Sequence, residues 1–249
     1  MMQKSFFLVL MLVSSISWGL SAVRKPGEDW RKKAQGRART FDHTIQVFNE
    51  TPLEQSRPLK KVDFAEVPDV ENKQNVMTIF RYIRDTRFIR DVATPKNQRR
   101  ISWMYPDDGC YVRAEMMTSQ AEMRGWPSMK KLFIFGNLAA QTRNTPEGVV
   151  RWWYHVAPVV RTGDKVWVLD PSLDFQKPLG VIEWRNRMRA EGDLPEHFSL
   201  CDAHTFDPDF ACQNPKRRNY DGVVGWQKIF LEEEWRRILE LGRDPYREL

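Results

Sequence analysis

The stretch VVRWWYHVAPVVRTGDKVWVLD, residues 149–170, predicts two antiparallel strands joined by a tight turn. Both arms are rich in β-branched and aromatic residues, and the Thr-Gly-Asp sequence at 162–164 between them is a hairpin signal. A hairpin closed at this turn brings His155 and Asp170 to similar heights on paired strands. It therefore places an imidazole beside a carboxylate, the pair that general acid–base catalysis uses.

A cysteine precedes this hairpin at the predicted start of a helix. The Pro-Asp-Asp-Gly turn at 106–109 has acidic residues that suit the positive end of a helix, which is predicted to run from Cys110 to Arg124. The helix dipole favours a thiolate there, and backbone N–H groups at the helix start can bind the oxyanion that thiolate attack produces. Cys110 is therefore the candidate nucleophile, His155 the base and Asp170 the orienting carboxylate.

Each of the three residues also has a commoner explanation. A cysteine at a helix start is more often a small packed residue, and a histidine in a strand is more often structural or exposed. Asp-Pro-Ser is a common turn. The combination is more specific than any member, because the order helix, strand, hairpin, strand brings all three together in one fold.

Three segments carry a resemblance to a known family: RISWMYPDDGCYVRA (100–114), YHVAPVV (154–160) and WVLDPSL (167–173). They resemble the bacterial protein glutaminase family of secreted protein-glutamine deamidases, over about residues 75–215, and Trp184 also fits. The resemblance implies an α+β fold with a transglutaminase-like (papain-like) core, in which the nucleophile-bearing helix packs on an antiparallel sheet.

By the same resemblance, Cys110, His155 and Asp170 correspond to the catalytic triad. The implied reaction hydrolyses the side-chain amide of a protein- or peptide-bound glutamine to glutamate and ammonia, through a thioester. Glu115 departs from the family pattern, which often has histidine there, and this bears on substrate preference.

Four residues near the predicted triad are candidates for substrate contacts or for the oxyanion site: Gly109, Tyr111, Trp103 and Tyr154.

The first residues have the features of a secretory signal peptide. Lys4 supplies a short positive region, residues 5–16 are almost wholly apolar, and small residues follow. An uncleaved membrane anchor is the alternative, but the apolar run is short for a span. We therefore expect a signal peptide at residues 1–21, a secreted or periplasmic protein, and no integral membrane segment after cleavage.

Residues 22–70 predict a basic, irregular N-terminal segment, and residues 71–249 the catalytic transglutaminase-like domain. The basic charge could indicate an arm for nucleic acid or a membrane surface, but a solvated tail is favoured because only Trp30 interleaves with it. Some members of the resembled family have an inhibitory pro-segment, so this segment is a candidate for one. We expect a monomer that acts on proteins or peptides with exposed glutamine and binds no nucleic acid.

Three cysteines in a secreted chain cannot all pair. Cys201 and Cys212 lie close together in a loop-like stretch and are the plausible disulfide, so Cys110 is the odd and suspect thiol. Zinc binding by the two paired cysteines with His197 and His204 is the alternative, but their spacing matches no familiar motif. We predict no metal, and no cofactor is expected, because neither a phosphate loop nor a dinucleotide fingerprint appears.

The composition is that of a soluble globular protein, with 249 residues of which 41% are hydrophobic and 29% charged. The periodicity predicts further helices at 75–89, 184–190 and 226–241, a strand at 131–136, and an irregular stretch at 195–219. The last helix is expected to turn Ile229, Phe230, Ile238 and Leu239 inward and to keep its glutamates outside.

Three functions compete with deamidation. An amine that resolved the thioester would make the protein a transglutaminase, and water access to the acyl-enzyme decides between these two. A cysteine peptidase is the second competing function. The third is a non-catalytic secreted binding protein that keeps the core.

Overall fold

The computed structural model describes residues 51–90, 98–188 and 196–248. The predicted signal peptide at 1–21 and residues 22–50 of the predicted N-terminal segment lie outside the described residues. Within the described ranges, none of the helices combines the length and the apolar character needed to cross a bilayer.

The described chain contains both helices and strands. In order they are a 3-10 turn at Leu59–Lys61, α1 (Lys73–Asp85), β1 (Ile89–Arg90), β2 (Gln98–Arg99), α2 (Cys110–Met123), β3 (Lys130–Gln141), β4 (Val149–Thr162), β5 (Lys165–Val168), β6 (Leu179–Gly180), α3 (Val181–Arg187), β7 (His197–Cys201), α4 (Tyr220–Glu240) and α5 (Pro245–Glu248).

Five of the strands form one antiparallel sheet in the order β6-β5-β4-β3-β7. The predicted hairpin is confirmed, because Thr162 pairs with Lys165 at its closed end. The expectation of an irregular stretch over 195–219 was wrong for β7, where Cys201 pairs with Lys131 of β3. β7 lies at the edge of the sheet and is specified by this pairing with a distant strand, not by a strong periodicity of its own.

Two hydrophobic cores cover the two faces of this sheet. Alternate residues of β3 point to opposite faces, so Phe133 belongs to one core and Ile134 to the other. The first core takes in the apolar residues of α1, α2 and α4, and the second takes in Trp184 of α3. The predicted α+β class, with the cysteine-bearing helix packed on an antiparallel sheet, is confirmed.

Helix α2 is surrounded by protein. Twelve of its fourteen residues are buried, so it has no solvated face. The sheet covers one side while α1 and α4 contact others. A helix enclosed in this way holds its first residue, Cys110, in a fixed position relative to the sheet.

Two helix boundaries differ from the predictions. The helix expected at 75–89 ends at Asp85, because the chain becomes extended at Thr86 and Ile89 pairs with Arg99 in a separate two-stranded ribbon. The helix expected at 184–190 begins earlier, at Val181, within the second core.

The long C-terminal helix α4 is also oriented differently from the prediction. Phe230 and Ile238 face the core as expected. The prediction was wrong for Ile229 and Leu239, which are 41% and 54% exposed. It was also wrong in placing all the glutamates outside, because Glu234 is fully buried. The buried face of α4 thus contains a charged residue that periodicity of apolar residues could not reveal.

Residues 51–70 lie against the sheet. The backbone of Arg57 forms a bridge with Phe198 of β7, and the side chain of Ser199 donates to the carbonyl of Pro52. Val67 is 1% exposed and belongs to the second core. The described part of the predicted N-terminal segment is therefore packed into the same unit as the sheet.

Candidate active site

The hairpin brings His155 and Asp170 into direct contact. The Nε2 atom of His155 lies 2.8 Å from Oδ2 of Asp170, and both side chains are buried. Asp170 follows the last residue of β5 by two positions, but the N–H of Leu169 still donates to the carbonyl of Pro158 at 2.9 Å. The antiparallel arrangement thus continues past the end of the strand and fixes the carboxylate beside the imidazole.

Asp170 is held by hydrogen bonds to both carboxylate oxygens. Oδ2 accepts from the indole Nε1–H of Trp184 at 2.8 Å, and Oδ1 accepts from the backbone N–H and the hydroxyl of Ser172. Burial raises the pKa of Asp170, but the charge of His155 and these hydrogen bonds outweigh it and lower the pKa to about 2. The carboxylate is therefore ionised throughout the neutral range.

His155 is the most enclosed of the three candidate residues. Burial alone lowers its pKa, but the charge and hydrogen bond of Asp170, together with the Cys110 thiol, raise the pKa to about 9. The Nδ1 atom is buried and makes no hydrogen bond with any group in the described ranges. With Nε2 bound to Asp170, Nδ1 is the atom available to the sulfur of Cys110.

Cys110 is the first residue of α2 and a free thiol that is 6% exposed. The N-cap residue Gly109 has φ +83°, a left-handed conformation that favours glycine. Its N–H donates to Oδ1 of Asp108 at 2.6 Å, so in this structure that N–H already has a partner. The backbone N–H of Cys110 remains the candidate donor at the helix start.

Arg113 holds the loop before Cys110 from inside α2. Its Nη1 atom donates to the carbonyls of Tyr105 at 3.0 Å and Asp108 at 2.9 Å. Its side chain is 3% exposed, an uncommon position for an arginine. Sequence reasoning missed this role, because an arginine in a helix gives no signal of burial.

The remaining predicted contact residues are divided between the site and the core. Tyr154 adjoins His155 in β4; burial raises its pKa, and the charge of Cys110 raises it further. Tyr111 packs edge-on against the rings of neighbouring helices and loops. Trp103 is 2% exposed and donates to the carbonyl of Arg84 at 3.1 Å, which gives it a packing role in the first core.

Trp152 is an additional residue that sequence reasoning did not single out. Its ring stacks on the His155 ring at 4.7 Å between centroids, and its Nε1–H donates to the carbonyl of Pro106 at 2.8 Å. One side chain thus links the imidazole to the turn before Cys110. The next residue, Trp153, is half-buried and contacts Tyr154 at 4.6 Å, so it is a candidate rim residue.

Glu115, the departure from the family pattern, lies in a buried network. Its carboxylate accepts from Nζ of Lys131 at 2.6 Å and pairs with Nδ1 of His204 at 2.8 Å. Burial raises the pKa of Glu115, but Lys131 and His204 lower it to about 2. Lys131 also donates to the carbonyl of Thr205, so the network joins α2 to the loop after β7.

The predicted disulfide between Cys201 and Cys212 is present. The zinc alternative would need both of these sulfurs as thiolate ligands, so the disulfide argues against it. The bond closes the loop that carries His204, one partner of Glu115.

In the described structure, a free cysteine at a helix start lies beside a histidine and an aspartate on an antiparallel sheet. Residues 76–188, which include all three, match the family model described as glutaminase. This match confirms the resemblance read from the three motifs, and with it the prediction of a glutaminase-class hydrolase.

Solved structures of protein-glutaminases are also similar to the chain. A crystal structure of protein-glutaminase is 23% identical over 68% of this chain and 88% of its own, with a TM-score of 0.47. The solution structure of protein-glutaminase from Chryseobacterium proteolyticum is 23% identical over 66% of this chain and 86% of its own, with a TM-score of 0.48. A pro-protein-glutaminase crystal structure is 22% identical over 68% and 58% of the two chains, with a TM-score of 0.47. No curated protein matches.

Proposed function

We propose that this protein deamidates glutamine side chains in proteins or peptides, with Cys110 as nucleophile, His155 as acid and base, and Asp170 as the orienting carboxylate. The observation that carries the proposal is the orientation of the His155 ring. Asp170 occupies Nε2, which directs the unpartnered Nδ1 to the free thiol at the start of α2.

Acylation begins when the Cys110 thiolate attacks the amide carbon of the glutamine side chain. A C–S bond forms, and the negative charge moves to the carbonyl oxygen, where the N–H of Cys110 can stabilise it. The imidazolium of His155 then gives its proton to the amide nitrogen. The C–N bond breaks, ammonia leaves and a thioester joins Cys110 to the substrate.

Deacylation reverses the roles of His155. Neutral imidazole takes a proton from water, and the resulting hydroxide oxygen attacks the thioester carbon. The tetrahedral intermediate expels the sulfur of Cys110, glutamate is released and the imidazolium pairs again with the thiolate. Asp170 stays ionised in every step, in agreement with its lowered pKa.

The recessed position of the site supports a side-chain amide as substrate. Cys110 and His155 are 6% and 1% exposed, so the reacting group must reach inward from the protein surface. The amide carbon of a glutamine side chain lies three bonds beyond its Cα, so it can enter a narrow opening. A backbone amide of a folded protein is held among its neighbours and fits such an opening less well. This favours deamidation over peptide-bond hydrolysis.

A secreted location and a monomeric state are part of the same proposal. The disulfide between Cys201 and Cys212 supports an oxidising compartment, as does the signal-like sequence at residues 1–21. The basic N-terminal segment, residues 22–70, is the candidate inhibitory segment in this proposal.

The decisive assay incubates the wild type, Cys110→Ala and His155→Ala with a glutamine-rich protein that also contains lysine. Ammonia release, substrate mass and new peptide termini are measured together. Deamidation predicts ammonia matched by equal formation of glutamate, from the wild type alone. Cross-linked substrate would indicate a transglutaminase, new termini a peptidase, and an inert wild type a binding protein.

A further inference from the structure

The loop that leads to the candidate nucleophile has no regular structure of its own. Residues 102–109, here called the nucleophile loop, run from the two-stranded ribbon to Cys110 without entering a helix or strand. The direction of the Cys110 N–H and of its sulfur depends on how this loop is held. Arg113 supports the loop from α2, and a second support comes from outside the segment that matches the glutaminase family.

One face of α4 supplies this second support. Four of its side chains recur at intervals of three and four residues, so they line one side of the helix. We call them the α4 stripe: Gln227, Phe230, Glu234 and Arg237. Each member contacts a different part of the nucleophile loop.

The polar members of the stripe bind the beginning of the loop. The amide of Gln227 donates to the hydroxyl of Ser102 at 2.6 Å, and Glu234 accepts the backbone N–H of Met104 at 2.6 Å. Gln227 and Glu234 are both fully buried. A buried carboxylate is costly unless it is paired, so its place against a loop N–H is poorly explained by packing alone.

Two arginines complete the surroundings of Glu234. Arg99 and Arg100 approach its carboxylate at 3.8 and 3.9 Å. Burial raises the pKa of Glu234 above its usual value, and Arg100 and the N–H of Met104 only partly offset that rise. The arginines therefore reduce the cost of burying this carboxyl group against the loop.

The other two members of the stripe contact the end of the loop beside Cys110. Nη1 of Arg237 lies 2.6 Å from Oδ2 of Asp107, and the pair is mostly buried. The Phe230 ring lies against Gly109, where a Cβ atom would be only 2.9 Å from it. The left-handed turn immediately before Cys110 is therefore held between α2 and α4.

We propose that the α4 stripe is a positioning element that orients Cys110 for attack, and that Glu234 and Arg237 are positioning residues acting through the nucleophile loop. Their effect on turnover rests on the proposed function, but their effect on Cys110 itself does not. The stripe adds to the three triad residues a part of the machinery that lies late in the chain.

The test compares Glu234→Gln with Glu232→Gln, which removes the same charge from an exposed position on the same helix. Circular dichroism and the thermal midpoint first establish that each variant is folded at the assay temperature. Two readouts follow: the separate kcat and KM for ammonia release, and the rate at which iodoacetamide alkylates Cys110.

We expect Glu234→Gln to lower kcat at least about tenfold with KM nearly unchanged, and to change the alkylation rate by about threefold or more. Glu232→Gln should leave both close to the wild type. A folded Glu234→Gln variant with wild-type kcat and alkylation rate would overturn the proposal, because a purely structural role lowers only the thermal midpoint.

Two further controls keep the test decisive. If Glu234→Gln does not fold, Arg237→Lys takes its place. This variant keeps the positive charge but loses the planar guanidinium group, which also donates to the carbonyl of Asn144. We expect Arg237→Lys to lower kcat by less than Glu234→Gln would. If the wild type releases no ammonia, the proposed function fails, and the alkylation rates still decide whether the stripe controls Cys110.

Discussion

At the scale of single residues, the site depends on which atoms of Asp170 face which donors. Oδ2 receives two N–H groups, from His155 and Trp184, and Oδ1 receives the N–H and hydroxyl of Ser172. All four of these donors therefore bind a carboxylate oxygen. If Asp170 were an asparagine, its NH₂ group would replace one of the two oxygens and would face hydrogen-bond donors at that position.

Asp170→Asn tests this arrangement directly. The NH₂ group either opposes Ser172 or forces His155 into the tautomer with its proton on Nδ1, where it cannot take a proton from Cys110. We expect kcat to fall by roughly 10³-fold or more, with the fold retained. Ammonia release is the measurement, and Asp164→Asn in the exposed hairpin turn is the matched control. Turnover near that of the wild type would remove Asp170 from the mechanism.

The raised pKa of His155 predicts how stability depends on pH. A pKa raised from 6.5 to about 9 contributes stability that is complete below pH 6.5 and is lost as pH rises through about 9. The difference in free energy of unfolding between wild type and His155→Gln should therefore shrink by on the order of 3 kcal/mol across this window. Urea unfolding at both ends measures it, and a constant or growing difference would contradict the assigned pKa.

At the scale of secondary structure, the site is assembled from elements that are distant in sequence. The hairpin of β4 and β5 supplies His155 and Asp170, α2 supplies Cys110, and the short helix α3 supplies Trp184. α3 lies on the second face of the sheet, where Trp184 is fully buried. Its indole N–H reaches Asp170 from that face, so a packing residue also serves the carboxylate.

Trp184→Phe separates these two roles. Phenylalanine keeps an aromatic ring but leaves Asp170 without one of its hydrogen-bond donors. The lost hydrogen bond is worth about 1.5 kcal/mol, so we expect kcat to fall roughly tenfold. The pKa of Asp170 should rise, so acid unfolding should begin at a higher pH than in the wild type. Trp126→Phe, at a half-buried tryptophan whose ring packs edge-on against Tyr82, is the control. If Trp184→Phe unfolded in acid at the same pH as the wild type, the hydrogen bond from Trp184 would not affect the pKa of Asp170.

At the scale of the whole molecule, residues 51–70 and the sheet form one packed unit. Val67 lies in the second core, and Arg161 of β4 donates to the carbonyl of Val67 at 2.7 Å. The sequence pattern predicted a domain boundary after residue 70, because the prolines and charges before that residue are typical of an irregular segment. Irregular chain can still be buried when its backbone groups find partners on an edge strand.

Truncation tests what residues 51–70 contribute to stability. Relative to a chain that begins at residue 51, a chain that begins at residue 71 loses Val67 from the core and should unfold several degrees lower. Thermal unfolding of the two chains is the measurement, and equal midpoints would show that residues 51–70 contribute nothing to stability.

The sequence predicted the parts of the molecule that have strong local signals. The hairpin was predictable from its turn and its alternating strands, and Cys110 from the acidic turn before a helix. Three features were not predictable from local signals: strand β7, the burial of Glu234 and the buried pair of Glu115 with Lys131. Each depends on partners far away in the chain, and a buried charge has the same sequence appearance as an exposed one.

The most direct measurement is the mass of the intact enzyme, quenched in acid soon after mixing with a glutamine-containing peptide. The central claim is that Cys110 forms a thioester with the glutamine side chain. It predicts a wild-type adduct equal to the peptide less ammonia, located on the fragment that contains Cys110, and no adduct on Cys110→Ala. Ammonia release by Cys110→Ala at the wild-type rate, or an adduct on another residue, would contradict the account.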